Sequence, residues 1–171
     1  MAQARPVVVV STCLLGRRCR YDGKVISCPW VNRLRSRVRF IPVCPETAIG
    51  LGVPREPIRI VSDQGRLWLV QPATGRRLTR KMNAFSRRFL VSLNAVDGFI
   101  LKSRSPSCGI RDAAVFKAAS KVSGSGFFAR SARERFPRAA MENEQGLASP
   151  VRRRRFLSQA LAARLERSRT A

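Results

Sequence analysis

The sequence predicts an α/β chain built on a mostly parallel sheet. Three apolar runs carry that reading: Val7-Val8-Val9-Val10, Arg39-Phe40-Ile41-Pro42-Val43 and Gly98-Phe99-Ile100-Leu101. They lack a regular apolar-polar alternation, which is the pattern of strands covered on both faces. A helical stripe lies before the third run, as the crossover of a parallel sheet requires. The expected architecture is a single domain, a Rossmann-like sheet with helices on both faces and a small β-hairpin at its edge. A chain of 171 residues can bury such a core without disulfides.

Residues 6 to 12 form the first expected strand, and the segment 13–24, with Gly16 and Asp22-Gly23, reads as loop and turn. A short helix is expected from Pro29 to about Ser36, then a second strand over residues 38 to 44. Gly50-Leu51-Gly52-Val53-Pro54-Arg55 is too rich in glycine and proline for a regular element. Ile58 to Val61 and Leu67 to Val70, split by Ser62-Asp63-Gln64-Gly65-Arg66, are the expected hairpin. Thr79 is expected to cap a helix whose apolar stripe is Met82, Phe85, Phe89 and Leu93, with Arg80, Lys81, Arg87 and Arg88 outside it. Asp97-Gly98 closes that helix and launches the third strand. Ser123-Gly124-Ser125-Gly126-Phe127-Phe128-Ala129 reads as a glycine turn entering a helix, plain or facing an anion. Ser149-Pro150 starts the last helix, Ser at the cap and Pro at the first position. Leu157, Leu161 and Leu165 are expected to mark its apolar face. The domain expectation is one unit over 1–171, with a core over 6–130 and a helical C-terminal extension over 131–171.

The formal charge is +24, from 34 Lys and Arg against 10 Asp and Glu. Such a field attracts polyanions, nucleic acid first among them, although an arginine-rich proteome would raise the charge of every protein it makes. Arg152 to Arg155 crowd a helix N-terminus, where cations oppose the macrodipole unless acidic groups or phosphates lie nearby. That cluster reads as an RNA contact or as a plain charged surface. No run approaches the ~20 apolar residues of a membrane span, and the first apolar run is too short for a secretory signal. A cytoplasmic protein with reduced thiols and no membrane partner is expected. Histidine is absent, which removes His-Cys zinc sites, Ser-His and Cys-His pairs and imidazole acid-base chemistry. Thiolate, carboxylate, hydroxyl or a bound cofactor must do the work.

Cys13, Cys44 and Cys108 each follow a strand run and precede a turn containing Gly or Pro. Parallel strands align their carboxyl ends along one edge, where such sheets bind ligands, so the three thiols are expected to converge. No Cys-x-x-Cys is present. Spacing leaves three readings: an iron-sulfur cluster with one iron open, zinc, or buried thiols without metal.

Five motifs make the chain recognisable: Val10-Ser11-Thr12-Cys13-Leu14-Leu15-Gly16, Cys19-Arg20-Tyr21-Asp22-Gly23, Pro42-Val43-Cys44-Pro45-Glu46, Pro54-Arg55-Glu56-Pro57, and Lys102-Ser103-Arg104-Ser105-Pro106-Ser107-Cys108-Gly109. Together they resemble the thiouracil desulfidase (TudS-type) family. Gly126-Phe127-Phe128-Ala129, Glu142-Asn143-Glu144 and Pro150 to Phe156 resemble the branch acting on 4-thiouridine in tRNA. The resemblance implies a 4Fe-4S cluster held by Cys13, Cys44 and Cys108, with the fourth iron open to the substrate's sulfur. It also implies catalytic roles for Glu46 and Ser105. The implied reaction is a hydrolytic, non-redox desulfuration, C=S to C=O with sulfide release, most directly of 4-thiouridine in tRNA. A salvage desulfidase of free thiouracil or 4-thiouridine monophosphate is one rival; an RNA-binding protein with a structural metal site is another. Arg20, Arg55, Lys102 and Arg104 lie inside the motifs and are expected to contact phosphate or base. From the residues alone, Glu46 reads first as a cap of the loop after Cys44, and Ser105 is equally a turn residue before Pro106. Cys19 is expected to support the site, and Cys28 to be an ordinary thiol. The diluted acidic run Glu142-Asn143-Glu144 and the Arg152–155 block depart from the tRNA-acting branch and bear on the substrate rather than on the cluster.

Overall fold

A computed structural model describes residues 5–169, so the ends of the 1–171 expectation lie outside the described residues. In chain order the first half comprises β1 (Val7–Ser11), α1 (Pro29–Asn32), β2 (Arg39–Val43), α2 (Pro45–Ala48), β3 (Arg59–Asp63), β4 (Arg66–Gln71) and β5 (Arg76–Arg77). The second half comprises α3 (Thr79–Val91), β6 (Gly98–Leu101), β7 (Ala113–Lys117), β8 (Ser120–Gly124), α4 (Phe127–Arg135), β9 (Ala140–Asn143) and α5 (Pro150–Arg169).

The three apolar runs form β1, β2 and β6 of a four-stranded parallel sheet in the order β2-β1-β6-β9. Successive side chains of a strand face opposite ways. Val8 and Val10 accordingly pack with Val31, Phe156 and Ala160 on the α1 and α5 side, while Val9 packs with Leu90, Phe128 and Ala132 on the α3 and α4 side. All three valines are fully buried, each burial stabilising by about 1.5–3 kcal/mol. Helices on both faces explain why the run does not alternate. Gly98 opens β6 where α5 crosses it: a Cβ there would lie 3.0 Å from the Phe156 ring.

The hairpin forms where expected, turning through Gln64 and Gly65 at φ 46° and 75°, the positive angles that match strand twist in a two-residue turn. It does not extend the parallel sheet. It is the centre of a second, five-stranded sheet in the order β5-β4-β3-β7-β8. Ile60 and Leu69 find cover there under Leu78 and Met82 at the start of α3.

Four local expectations are corrected. The Thr79 hydroxyl caps nothing; it accepts the Leu69 N–H at 2.8 Å and ties α3 to β4. The glycine-serine stretch is in part a strand, β8, rather than only a turn. Residues 131–171 are not merely a helical extension, because β9 pairs with β6 in the central sheet. The buried face of α5 is Phe156 and Ala160, while Leu161 and Leu165 are 41% and 50% exposed. A four-residue repeat advances about 40° beyond a full turn at each step, so the leucines drift out of the stripe that meets the sheet. No helix is long and apolar enough to cross a membrane among the described residues.

Candidate active site

The carboxyl ends of β1, β2 and β6 open on a cavity of about 430 Å³. All nine residues singled out above line it, with Cys19 beside them. The strand order reverses direction at β1, so the cavity occupies the place where open parallel sheets hold ligands. A groove of about 870 Å³ between β9, α5 and the end of α4 is larger. It contains no cysteine, and Arg138 and Arg152 on its walls are already paired with Glu166 and Glu142.

Short-range geometry brings the groups in. Ser11 ends β1, and its hydroxyl accepts the Lys102 N–H at 2.9 Å, joining β1 to the loop after β6. Cys13 follows in one tight turn over Thr12–Leu15, closed by Gly16 at φ 78°. Cys44 follows β2, and Pro45 then starts α2, which sets Glu46 in the first turn beside that thiol. Ser105 shapes the approach to Cys108, its hydroxyl accepting the N–H groups of Ser107 and Cys108 at 3.1 and 3.0 Å. The first amides of α4 face the Ser107 carbonyl, which accepts from Phe128 and Ala129 at 2.9 and 3.1 Å. They are therefore not open to an anion. Gly126 permits this approach, since a Cβ would sit 2.5 Å from the Ser107 carbonyl.

Glu46 is the hub. Its Oε2 accepts from Arg55 Nε and NH2 at 3.0 and 2.8 Å, and its Oε1 accepts from the Ser107 hydroxyl at 3.1 Å. The Ser105 hydroxyl lies 3.5 Å from the same Oε1. Arg55, expected to touch substrate, is 6% exposed and turned inward. Its five N–H donors are all engaged: besides the two bonds to Glu46, NH1 reaches the carbonyls of Cys19 and Gly52, and NH2 reaches Cys19 again. Lys102 is similarly committed, to Glu144 Oε1 at 2.5 Å and to the hydroxyl and carbonyl of Ser103. Arg20 forms a two-bond fork with Asp22 at 3.0 and 2.8 Å. Arg104 is exposed and has no partner among the described residues.

The thiols of Cys19, Cys44 and Cys108 are all raised above the ordinary cysteine range. A hydrogen bond with Cys13 pushes the Cys19 thiol up to about 11, and burial pushes Cys108 up to about 12. Cys44 is raised too, by its hydrogen bond with Cys19 and by burial. Such groups become ligands when a cation compensates the thiolate. Among the described residues no three His, Cys, Asp or Glu side chains are grouped tightly enough for a single metal ion. An iron-sulfur cluster spreads its cysteines over separate irons. An all-sulfur donor set arranged around one cavity fits that better than it fits one ion. Cys28 stands apart in the core beneath α1.

Sequence reasoning passed over Ser107, Ser11 and Glu144. Ser107 was inside the quoted motif, but in a turn carrying three serines nothing in the letters says which hydroxyl faces the carboxylate.

The chain matches the family model described as 2-thiouracil desulfurase over residues 8–144. The uncharacterized protein YbbK of Bacillus subtilis (strain 168) is 28% identical over 148 residues, covering 81% of this chain and 97% of that one. The solved structure of a 4Fe-4S-dependent thiouracil desulfidase, TudS, superposes with a TM-score of 0.63 at 24% identity, over 94% of this chain and 99% of that chain. That likeness is one of fold.

Proposed function

The chain belongs to the 2-thiouracil desulfurase family, a family of enzymes, and from this we propose that it hydrolyses the thiocarbonyl of 4-thiouracil-type bases, with 4-thiouridine in tRNA as the substrate. The observation that carries the proposal is the meeting of three strand-end thiols, the Glu46 carboxylate and the Ser105 hydroxyl in a single cavity, with the buried Ser107 hydroxyl behind the carboxylate. Cys13, Cys44 and Cys108 would hold a 4Fe-4S cluster, which supplies an open iron as Lewis acid for the thiocarbonyl sulfur. The remaining chemistry belongs to the chain. Glu46 is oriented by Arg55 through Oε2 and by the Ser107 hydroxyl at Oε1, whose remaining lone pair would take the proton of an attacking water. The Ser105 hydroxyl accepts two amide protons, so its own proton is directed towards Glu46. A water on the cavity side of Oε1 would lie beside the Ser105 hydroxyl as well. Water adds across C=S, the C–S bond breaks, and the products are the carbonyl base and sulfide, with no net redox change.

The tRNA assignment draws on the +24 charge and on the exposed Arg154 and Arg155. A salvage reading, with 4-thiouridine monophosphate as substrate, draws on the other half of the block. Arg152 is forked onto Glu142, and Arg153 lies over Trp30 at 4.8 Å and donates to the Leu147 carbonyl. Those two cations are used inside the protein. The test is anaerobic reconstitution with iron and sulfide, then incubation with thiolated tRNA and with 4-thiouridine monophosphate, following thiocarbonyl absorbance and released sulfide. Turnover is expected, and Glu46→Gln is expected to abolish it while leaving iron content unchanged. Reconstituted protein that binds RNA and releases no sulfide from either substrate would instead be a binding module.

A further inference from the structure

We infer that Tyr21 and Arg104 form a nucleotide-recognition pair at the mouth of the cavity, the ring stacking on the pyrimidine and the guanidinium holding the attached phosphate. The inference rests on the reading of this cavity as the substrate site and adds which two side chains tell a phosphorylated nucleotide unit from the free base.

The first ground is an accounting of donors. Four cations line the cavity, and three of them have acidic partners within the protein: Arg20 with Asp22, Arg55 with Glu46, and Lys102 with Glu144. A phosphate drawing on those three would have to break an existing pair. Arg104 alone of the four presents a guanidinium with no such partner. Its backbone adds a second ground. Arg104 sits at φ 58°, in the left-handed region where glycine is the unstrained choice. The loop is fixed on both sides of it, by Ser103 bonded to Glu144 and by Ser105 bonded to the next two amides. A non-glycine residue in that conformation, with its side chain in solvent, gains nothing from packing. In the lining of the cavity, a phosphate contact would supply what packing does not.

Tyr21 is the third ground. It is the chain's one tyrosine, lines the same cavity and is 45% exposed. Its mount is nonetheless rigid. The Arg20–Asp22 fork brackets it, the Lys24 N–H donates to Asp22 at 3.1 Å, the Gly23 N–H donates to the Arg20 carbonyl at 3.1 Å, and the Arg55 N–H donates to the Tyr21 carbonyl at 2.8 Å. An exposed aromatic ring on a pre-ordered loop stacks on a base with little further loss of entropy. The Arg20 guanidinium stands 5.8 Å from the ring centre and helps to hold the ring in place.

The experiment measures binding, without turnover, of uracil, uridine, uridine 5′-monophosphate and the dinucleotide UpU to the reconstituted protein by anaerobic calorimetry. Uridine 5′-monophosphate is expected to bind roughly tenfold or more tighter than uridine, the scale of a hydrogen bond to a charged group. Arg104→Gln should erase that difference and leave uridine affinity unchanged. Arg104→Lys should keep part of it. Tyr21→Leu should weaken uridine and its monophosphate by the same factor, about fivefold to a hundredfold, with Tyr21→Phe close to wild type. UpU binding like the monophosphate supports a phosphodiester in a polynucleotide as the source; UpU binding like uridine supports a free nucleotide. Equal affinity for uridine and its monophosphate in the wild type overturns the inference, as does a phosphate preference that survives Arg104→Gln. Retained preference in a protein that desulfurates nothing would sink the proposed reaction and leave this pair standing. Desulfuration with no phosphate preference would do the reverse.

Discussion

Four thiols face one cavity, and what sets Cys19 apart is the use made of its backbone. Its carbonyl accepts from both terminal nitrogens of Arg55 and, at 3.7 Å, from the Cys44 thiol. The residue therefore braces the arginine that orients Glu46. Replacing Cys13, Cys44 or Cys108 by serine is expected to lower iron bound after anaerobic reconstitution to background, whereas Cys19→Ser, which keeps that carbonyl, retains iron near the wild-type amount. Iron analysis and visible absorbance on the same samples check both halves. Ser107 is buried and donates to Glu46 Oε1. Ser107→Ala should lower kcat about tenfold with KM little changed, since the lost bond orients a charged group and does not touch the substrate. Steady-state kinetics would decide, and a rise in KM with unchanged kcat would place Ser107 in substrate binding instead. At this scale the motifs made the cavity's residues legible and left their allegiances hidden. Whether Lys102 or Arg55 is free depends on Glu144 and Glu46, 42 and 9 residues distant in the chain, and no local pattern carries such pairings.

Among the elements, β9 does more for the site than its four residues suggest. Glu144 follows it directly and accepts from Lys102 Nζ, the Ser103 N–H and the Ser103 hydroxyl at 2.5, 2.8 and 2.6 Å. The end of the edge strand thus grips the loop that leads to Ser105 and Cys108. Burial works to raise the Glu144 carboxyl, but the bonds from Lys102 and Ser103 outweigh it and hold the group below its ordinary 4.5. A carboxyl depressed on folding contributes stability above its unfolded value and loses that contribution as pH falls through the folded one. Glu144→Gln should therefore be less stable than wild type at pH 7. The gap should close as pH drops below about 4.5, read from urea midpoints along a pH series. A gap independent of pH would mean that shape, not charge, is what the position supplies. Legibility follows the same physics. Strands β1 and β6 were readable because two-sided burial demands apolar runs, whereas β2, an edge strand in which only Val43 is buried, was readable from the half-covered Phe40 and Ile41. Strands β5 and β8 were not, because Arg76–Arg77 and Ser120–Gly124 are largely exposed and owe their form to backbone pairing with neighbouring strands.

For the whole molecule the question is what a net charge of +24 does. Part of the positive charge is consumed internally, as at Arg152 and Arg153, and part stands over rings, as Arg59 over Phe116 and Arg77 over Trp68. Such arginines still count in the net charge, but their donors and faces are less available for direct contact with a partner. Arg154 and Arg155 are different, exposed and without partners among the described residues. If they meet a polynucleotide, binding must release counterions, and the logarithm of affinity falls with the logarithm of salt by about 0.9 per phosphate neutralised. The Arg154→Ala, Arg155→Ala double variant should then flatten that slope for thiolated tRNA by about 2, while 4-thiouridine monophosphate is turned over as by the wild type. Affinity measured across a salt series on both proteins makes the comparison. A slope unchanged by the double substitution would remove this face from RNA binding, and a wild-type slope near zero would return most of the charge to the protein's own solubility and leave the cavity to a free nucleotide.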